Sequence, residues 1–441
     1  MSLLVKNSND IFVIKAFSFV LILNALKPWL DYFFTISHQI VTGVQFIFLL
    51  LIVTILNKHF YQRLNLFAFL LLLSITLRFT LETSMDLLEG DLVSIFSTSY
   101  FLIRILIIIY VFQIILAEER EINFYIYLRK IFIAYFVLTV VYTIFQTPYF
   151  FGIDYGDVLG YTASHDYLIL SSKGGNVVSA NHLGFFRASG GIGGTTLDYA
   201  NYLLAVSWVV FFTKYKSKLL TYFLYFLFAW AAFICFSRAL FLALFVMGFI
   251  FAVMPKKLYE LLISLCVIFF LMLFLFINID LVLNFWTELA GNSDFKRIRS
   301  WTELFENVSL YQLIFGVDLG GNSGISQALL TEQSDDGVYI SRVFKLGSDG
   351  FITSFVYDAG IVLFILFMII LIQPIYLMKC SLRIKFAMFL SFLAIIAINS
   401  GFEKLFIAFS FLLSIAIVSG LNNNYFEEKV DSHNLVRINN S

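Results

Sequence analysis

Twelve long apolar runs constrain the fold of this sequence more than any other feature. Most of them approach the roughly 20 residues that cross the hydrocarbon core of a bilayer as a helix. A chain of 441 residues with 60% hydrophobic and 13% charged side chains could not build the polar surface of a soluble domain. We therefore predict an all-α polytopic membrane protein, folded as a single membrane domain over residues 1–441. The 12 predicted transmembrane helices lie in the runs 11–26, 38–56, 65–79, 92–116, 131–146, 197–213, 219–235, 238–254, 258–278, 351–378, 384–399 and 402–420.

The short connections between these runs alternate in their content of lysine and arginine. With the N-terminus in the cytoplasm, the inner connections hold 13 of these residues and the short outer connections hold four. Basic residues are enriched in cytoplasmic loops, so this orientation is favoured. It places both termini in the cytoplasm, and the polar segment 421–441 is predicted to be a flexible cytoplasmic tail.

Two long loops fall on the outer face in this topology, one over 147–196 and one over 279–350. In the second loop, four apolar residues between 301 and 308 recur at the spacing of an amphipathic helix. Loops of such length are usually functional or disordered, and this one is not low in complexity. We therefore expect the large outer loop to be ordered and partly helical.

Four arginines from three distant segments lie on the predicted outer face. Arg238 interrupts the apolar stretch "FICFSRALFLALF", where a charge facing lipid would cost at least a few kcal/mol. Arg187 precedes the sixth run, and Arg297 and Arg299 lie in the large loop. A guanidinium group binds phosphate through two parallel hydrogen bonds and stays charged at every relevant pH. These residues are therefore predicted to bind a lipid phosphate or pyrophosphate.

The alternative is that each arginine reaches the membrane surface or pairs with an acid such as Asp294 or Asp198. Two further arginines are second-tier candidates for the same site. Arg104 lies inside the fourth run, where an intramembrane charge is a site candidate by default, and Arg342 lies in the large loop. Arg104 could equally pair with Glu82 or Asp86.

Asp349 is the sharpest candidate among the carboxylates. It lies in "LGSDGFITSFVYDAG", where the large loop returns to the membrane, and Asp358 lies deeper in the same run. A carboxylate at this boundary could act as a general base or orient a hydroxyl group. The alternative is a helix N-cap, because aspartate is favoured directly before a helix.

The sequence gives no sign of metal, cofactor or nucleic-acid binding. Its three cysteines and five histidines are scattered, without the spacing of a metal site or a disulfide framework. The net charge is zero and no basic domain is present, so nucleic acid is not an expected partner. We expect no cofactor and no metal.

Five motifs occur in a characteristic order along the chain, together with the long outer loops. They are "RASG" (187–190), "SR" (237–238), "RIRSW" (297–301), "FGVDLGG" (315–321) and "SDGFITSFVYDAGIV" (348–362). This order resembles the O-antigen polymerase and O-antigen ligase superfamily of bacterial envelopes. Many members carry a Pro-Asn pair after the first motif, where this sequence has "GGTTLDY". Ligases carry a histidine where the large loop returns to the membrane, and Asp349 at that place favours a polymerase.

The resemblance implies a GT-C-like glycosyltransferase of the bacterial inner membrane with its active site on the periplasmic face. Such a polymerase transfers a growing glycan from undecaprenyl pyrophosphate onto a new lipid-linked repeat unit. Arg187, Arg238 and Arg299 would hold the pyrophosphate with help from Arg297, and Asp349 would orient or deprotonate the acceptor hydroxyl. Expected partners are lipid-linked oligosaccharides and membrane lipid, with a chain-length regulator as a further candidate.

Two other functions compete with this interpretation. A ligase of the same superfamily would pass the glycan to a lipid A core. A flippase or another transporter of lipid-linked oligosaccharides would also have about 12 helices with embedded charges. A transporter would not need a structured outer loop of this size, and it should contain an internal repeat, which this sequence lacks.

Overall fold

The structure is a computed structural model, and it describes nine of the 12 apolar runs over all or nearly all of their length. Its described residues are 8–34, 44, 47, 66–89, 98–99, 102–103, 105–106, 122–150, 196–215, 217–235, 237–253, 308–317, 351–378, 380–398 and 405–438. Over these residues the structure is all-helical and contains no strand. The helices are α1 (Ser8–Phe34), α2 (Leu66–Glu89), α3 (Ile122–Phe150), α4 (Thr196–Phe212), α5 (Lys218–Cys235), α6 (Arg238–Val253), α7 (Leu310–Phe315), α8 (Phe351–Leu377), α9 (Leu382–Ile398) and α10 (Leu405–Ile438).

Nine of the 12 predicted runs coincide with one of these helices, and α7 lies in the segment 279–350, which the sequence predicts to be the large outer loop. The other three runs, 38–56, 92–116 and 258–278, lie wholly or almost wholly outside the described residues.

Two helices extend beyond their apolar runs. α2 continues past residue 79 to Glu89, and α10 continues to Ile438 through most of the predicted tail. After Gly420 no glycine or proline interrupts α10 before its end, so nothing in the sequence breaks the helix. The Asn422 amide also donates to the carbonyls of Val418 at 2.8 Å and Phe212 at 3.2 Å. The segment predicted as a tail therefore begins as a helix tied to α4.

Large apolar side chains cover the outward surface of several helices. On α5, Tyr222 is 67% exposed and Phe226 is 66% exposed, although both belong to an almost wholly apolar helix. Contiguous apolar surfaces of this kind are rare on soluble proteins and are covered by hydrocarbon in membrane proteins. Three described helices are long and apolar enough to cross a membrane: Ile122–Ile144, Lys218–Cys235 and Phe351–Leu377, although the last of these folds back at Gly360. The architecture is thus compatible with a membrane protein.

Helix α4 is the centre of the bundle. Residues 198–210 are all buried, and α3, α5, α6, α9 and α10 pack around them. The indole N–H of Trp208 donates to the Ser391 hydroxyl of α9 at 3.1 Å, and its ring lies 5.2 Å from that of Phe411 on α10. This helix therefore joins the two halves of the chain into one core.

Contacts along α4 give the directions of its neighbours. Tyr202 packs on Phe406, near the start of α10, whereas the end of α4 accepts the hydrogen bond from Asn422. Helices α4 and α10 are therefore parallel. A short connection, 213–217, joins α4 to α5, so these helices run antiparallel and α5 ends beside the start of α4; α6 begins only three residues after Cys235, the last residue of α5, and so begins there too. We call the end at which α4, α6 and α10 begin the upper end of the bundle.

Basic side chains cap helix ends at the opposite, lower end. Arg129 of α3 donates to the carbonyl of Lys214 at 2.6 Å and lies 4.7 Å from the ring centroid of Tyr215. Lys385 donates to the carbonyl of Tyr376 at 2.5 Å, in the last turn of α8. Cations near the C-terminal carbonyls of helices are favourable because they oppose the helix dipole. The connection after α4 and the start of α3, both predicted as inner, therefore meet at one end.

Helix α8 folds back on itself at Gly360. The sequence predicts one straight span over 351–378, but Gly360 has φ 85° and ψ 162°, which is not helical. Phe351 and Phe367 would lie about 24 Å apart in a straight helix. Their ring centroids are 6.1 Å apart, and Phe355 stacks on Phe367 at 5.2 Å. Residues 351–377 thus form a hairpin of two helical arms, and the chain enters the bundle beside Phe367.

The tip of this hairpin points toward the upper end. Short connections, 378–381 and 399–404, join α8 to α9 and α9 to α10. Helices joined by short loops run antiparallel to each other. Because α10 begins at the upper end, α9 ends there and α8 ends at the lower end. Gly360, at the start of the second arm of α8, therefore lies toward the upper end.

Candidate functional site at the upper end

Of the predicted site residues, Arg238 alone falls within the described part of the chain. It is the first residue of α6, as the sequence predicts, and it lies at the upper end. Asp198, offered as a pairing partner for the arginines, is buried in the first turn of α4. The other predicted residues lie outside the described residues: Arg104, Arg187, Arg297, Arg299, Arg342 and Asp349.

Ser237 is the N-cap residue of α6, and it is buried. Its hydroxyl accepts from the Leu240 N–H at 3.5 Å, and its carbonyl accepts from the Phe241 N–H at 3.0 Å. Ser237 is only 1% exposed. The "SR" motif is thus the start of a helix, and its serine is buried in the bundle.

A second serine followed by a cation opens α5 at the lower end. Ser217 accepts from the Leu220 N–H at 3.4 Å, and Lys218 is the first residue of that helix. Both residues are exposed, unlike Ser237. The pattern alone is therefore a helix start, and what distinguishes Arg238 is its position at the upper end, directly after a buried serine.

Buried tyrosine hydroxyls lie below this end, between α1, α3 and α4. Asn24 donates its amide hydrogen to the Tyr135 hydroxyl at 2.6 Å, and the Tyr199 hydroxyl lies 3.5 Å from that of Thr139. Among the described residues the hydroxyl of Tyr202 has no hydrogen-bond partner, although its side chain is fully buried. These groups place polar atoms inside an otherwise apolar core.

The large outer loop reaches the hairpin through the short helix α7. Ser309 caps α7, and Gln312 completes a capping box with it. After the helix, the Val317 N–H donates to the Tyr357 carbonyl at 2.8 Å. That carbonyl lies in the last turn of the first hairpin arm, where Gly360 ends the helical bonding and leaves carbonyl groups without helical partners. The loop therefore supplies a hydrogen bond that the broken helix lacks.

Two glycines form the contact between the loop and the hairpin. Gly316 has φ 87° and ψ 167°, close to the angles of Gly360. A Cβ on Gly316 would overlap the backbone of Asp358 and Ala359, and one on Gly360 would overlap the backbone from Ile314 to Gly316. Only glycine adopts these angles readily and permits so close an approach. We call the contact between residues 315–317 and 357–360 the glycine junction.

Arg78 of α2 holds the loop side of the glycine junction. Its guanidinium group donates to the carbonyl of Phe315, the last residue of α7, and its Nε donates to Glu82 at 2.5 Å. The arginine therefore binds the negative end of α7 with charge and hydrogen bond together. Glu82, considered above as a partner for Arg104, pairs with Arg78.

The junction brings two of the five motifs together. Phe315 and Gly316 belong to "FGVDLGG", and Gly360 belongs to "SDGFITSFVYDAGIV". Among the described residues, no group of three His, Cys, Asp or Glu side chains could hold a metal ion. The glycine junction anchors a segment of the outer loop directly on the hairpin. The hairpin begins at Phe351, two residues after Asp349 in the sequence.

Sequence reasoning missed Arg78 and the fold-back at Gly360. Arg78 stands in the apolar stretch "LFAFLLLLSITLRFTLE". A charge that faces lipid is as costly there as it is at Arg238, so Arg78 could have been singled out in the same way. Gly360 lies between "VYDA" and a long apolar run, and a glycine at that place is compatible with a straight helix as well as with a turn. Hydropathy therefore could not reveal the hairpin.

Comparison with known proteins yields no relative. No family model, no curated protein and no solved structure matches the chain.

Proposed function

We propose that this protein is a polysaccharide polymerase of the O-antigen type, an integral enzyme of a bacterial inner membrane. In this proposal the chain has 12 spans in a GT-C-like arrangement, both termini lie in the cytoplasm, and the upper end faces the periplasm. The substrate is an oligosaccharide repeat unit on undecaprenyl pyrophosphate. A chain-length regulator is a further proposed partner.

The glycine junction is the observation that carries the proposal. Two of the motifs that resemble the polymerase and ligase superfamily are distant in sequence, yet their backbones meet at Gly316 and Gly360. They meet toward the end of the bundle at which Arg238 begins α6. An enzyme that joins lipid-linked glycans needs an ordered outer loop over such an end, because donor and acceptor must be held together away from water.

The proposed reaction is a single glycosyl transfer. The acceptor hydroxyl oxygen bonds to the anomeric carbon of the donor glycan as the bond from that carbon to the pyrophosphate oxygen breaks. Arg187, Arg238 and Arg299, with Arg297 assisting, stabilise the negative charge on the departing pyrophosphate. Asp349 orients the acceptor hydroxyl and takes its proton. Arg104 and Arg342 are second-tier members of the same anion site.

Polymerisation in vitro tests the proposal. Purified protein is given lipid-linked repeat units, and the ladder of products is compared between wild type and Arg238→Ala. Removing one fixed cation from a leaving-group site is expected to lower the rate about 100-fold or more. Lys218→Ala is the matched control, because it removes the first, cationic residue of α5 at the lower end, and we expect it to keep full activity.

Two results would count against the proposal. Full activity of Arg238→Ala would remove the arginine from the anion site. Translocation of lipid-linked units by a wild-type protein that never lengthens them would instead favour a flippase.

A further inference from the structure

We infer that Arg78 is a positioning residue, which ties the outer loop to α2 and so holds it on the hairpin tip, at the far end of the helical arm that Asp349 precedes in the sequence. The inference rests on the proposed function for its catalytic part. The attachment of the loop itself rests on contacts between described residues alone.

Among the described residues, side-chain packing and one backbone hydrogen bond connect the loop to the hairpin at the glycine junction. Residues 308–317 contact the hairpin mainly through Val308, Leu313 and Val317, which pack around Val356 and Tyr357. Of the junction's hydrogen bonds, one links backbone to backbone, from Val317 to Tyr357. Leu310, Tyr311 and Phe315 are exposed, so one side of α7 adds no packing.

Arg78 ties the loop side of the glycine junction to α2, a helix that packs against α8. Its guanidinium group donates to the Phe315 carbonyl and lies where a Cβ on Gly316 would stand. Glu82, one turn further along α2, fixes the orientation of the guanidinium group. The side chains of Arg78 and Glu82 are 17% and 20% exposed, so water competes less for this ion pair than for a fully exposed one.

The first hairpin arm connects the glycine junction to the segment that precedes it in the sequence, which contains Asp349. The first hairpin arm is rigid because residues 353–360 are all buried. Its start, Phe351, packs on Phe367 of the second arm. Asp349 stands two residues before Phe351. The loop is attached at Gly360, which is one end of the first hairpin arm. The other end of that arm, Phe351, follows closely after Asp349, the proposed base.

Hydrogen exchange and kinetics on the full-length protein in nanodiscs test this inference. Exchange is measured by mass spectrometry for peptides covering 308–317 and 351–360. In Arg78→Ala we expect exchange of the loop peptide to rise about 10-fold or more, since a hydrogen bond from a charged group is lost. Polymerisation should show a lower kcat with little change in KM, because the substrate still binds while the base is misplaced.

Two variants make the readout specific. Arg78→Lys keeps the charge but not the planar fork, so it should restore part of both the slow exchange and kcat. It also serves where the alanine variant fails to fold. Ser84→Ala is the matched control on the same helix, because that exposed hydroxyl only bonds the Thr80 carbonyl. It should leave exchange and kcat as in wild type.

The outcomes separate the two proposals. Unchanged exchange in Arg78→Ala, or faster exchange with an unchanged kcat, would overturn the positioning role. Faster exchange in Arg78→Ala together with full activity of Arg238→Ala would leave the attachment of the loop standing and would refute the proposed anion site.

Discussion

Replacing Gly360 with alanine should destabilise the protein through the hairpin tip. Gly360 combines φ 85° with ψ 162°, a region that residues with a Cβ rarely enter. The new methyl group would also overlap backbone atoms of Ile314, Phe315 and Gly316. Backbone atoms cannot rotate out of the way as the end of a flexible side chain can. The substitution therefore meets strain and overlap together.

The size of the effect follows from these two contributions. Holding a non-glycine residue in such a conformation costs about 1–3 kcal/mol. Forcing an extra methyl group into a packed site costs typically about 1–3 kcal/mol more. Their sum, about 2–6 kcal/mol, is the loss of stability expected if the hairpin stays intact. Partial opening of the glycine junction would relieve some of this cost.

Thermal unfolding in detergent, followed by size-exclusion chromatography of heated samples, measures this change. Domains of 150–250 residues lose roughly 2–4 °C of Tm per kcal/mol, so we expect Gly360→Ala to lower the Tm by roughly 5 °C or more. Gly248→Ala is the matched control on α6, because nothing lies within 4 Å of a Cβ there. That change removes a helical glycine and should raise stability by up to about 1 kcal/mol.

A Tm of Gly360→Ala equal to that of wild type would refute the fold-back at this residue. The same alanine in a straight helix would be neutral or stabilising, as at Gly248. Gly316→Ala provides a second reading of the same contact, since its Cβ would overlap the hairpin backbone from the loop side.

Two further predictions concern the core and the lower end. Ser391→Ala leaves the buried indole N–H of Trp208 without its acceptor and should lower the unfolding free energy by about 1–3 kcal/mol, which is measured as a lower Tm. The control is Ser410→Ala, because the Ser410 hydroxyl donates to the Phe406 carbonyl of its own helix, and this change should cost clearly less. Equal losses of stability in the two variants would contradict the bond between Trp208 and Ser391. Burial raises the pKa of the Cys380 thiol from 9.0 to about 11, against a smaller opposing effect of Lys385. Because the thiolate is the reactive form, alkylation of Cys380 should keep accelerating with pH up to about 11. Mass spectrometry of the labelled peptide follows the rate, and a plateau near pH 9 would show that the thiol is not shielded.

Helix positions could be predicted from the sequence because hydropathy reports directly on burial in lipid or protein. The start of α6 at Arg238 and the bounds of α4 and α5 match their apolar runs within a residue or two. The prediction ended α2 too early, since polar residues beyond Phe79 lower the hydropathy without ending the helix. Hydropathy therefore locates apolar stretches well and helix ends less well.

Backbone direction and long-range contact could not be predicted in the same way. The amphipathic spacing between 301 and 308 lies outside the described residues except Val308, and the described loop helix begins only after the Ser309 cap. The hairpin depends on one φ angle at Gly360, and the attachment of Arg78 joins positions 237 residues apart. The arginine site stays a prediction, because only the helix position of Arg238 falls within the described residues.

The enclosure of α4 has a consequence for how the protein is made. This helix carries buried Asp198, Asn201 and Ser207, and lipid is a poor solvent for such groups. Four of the helices that cover it, α5, α6, α9 and α10, follow it in the chain and are synthesised after it. A nascent chain must therefore keep these polar groups away from lipid until α10 has been made. Products that stop before Leu405 would leave one side of α4 open to the bilayer, where membrane proteases can recognise an unfinished molecule.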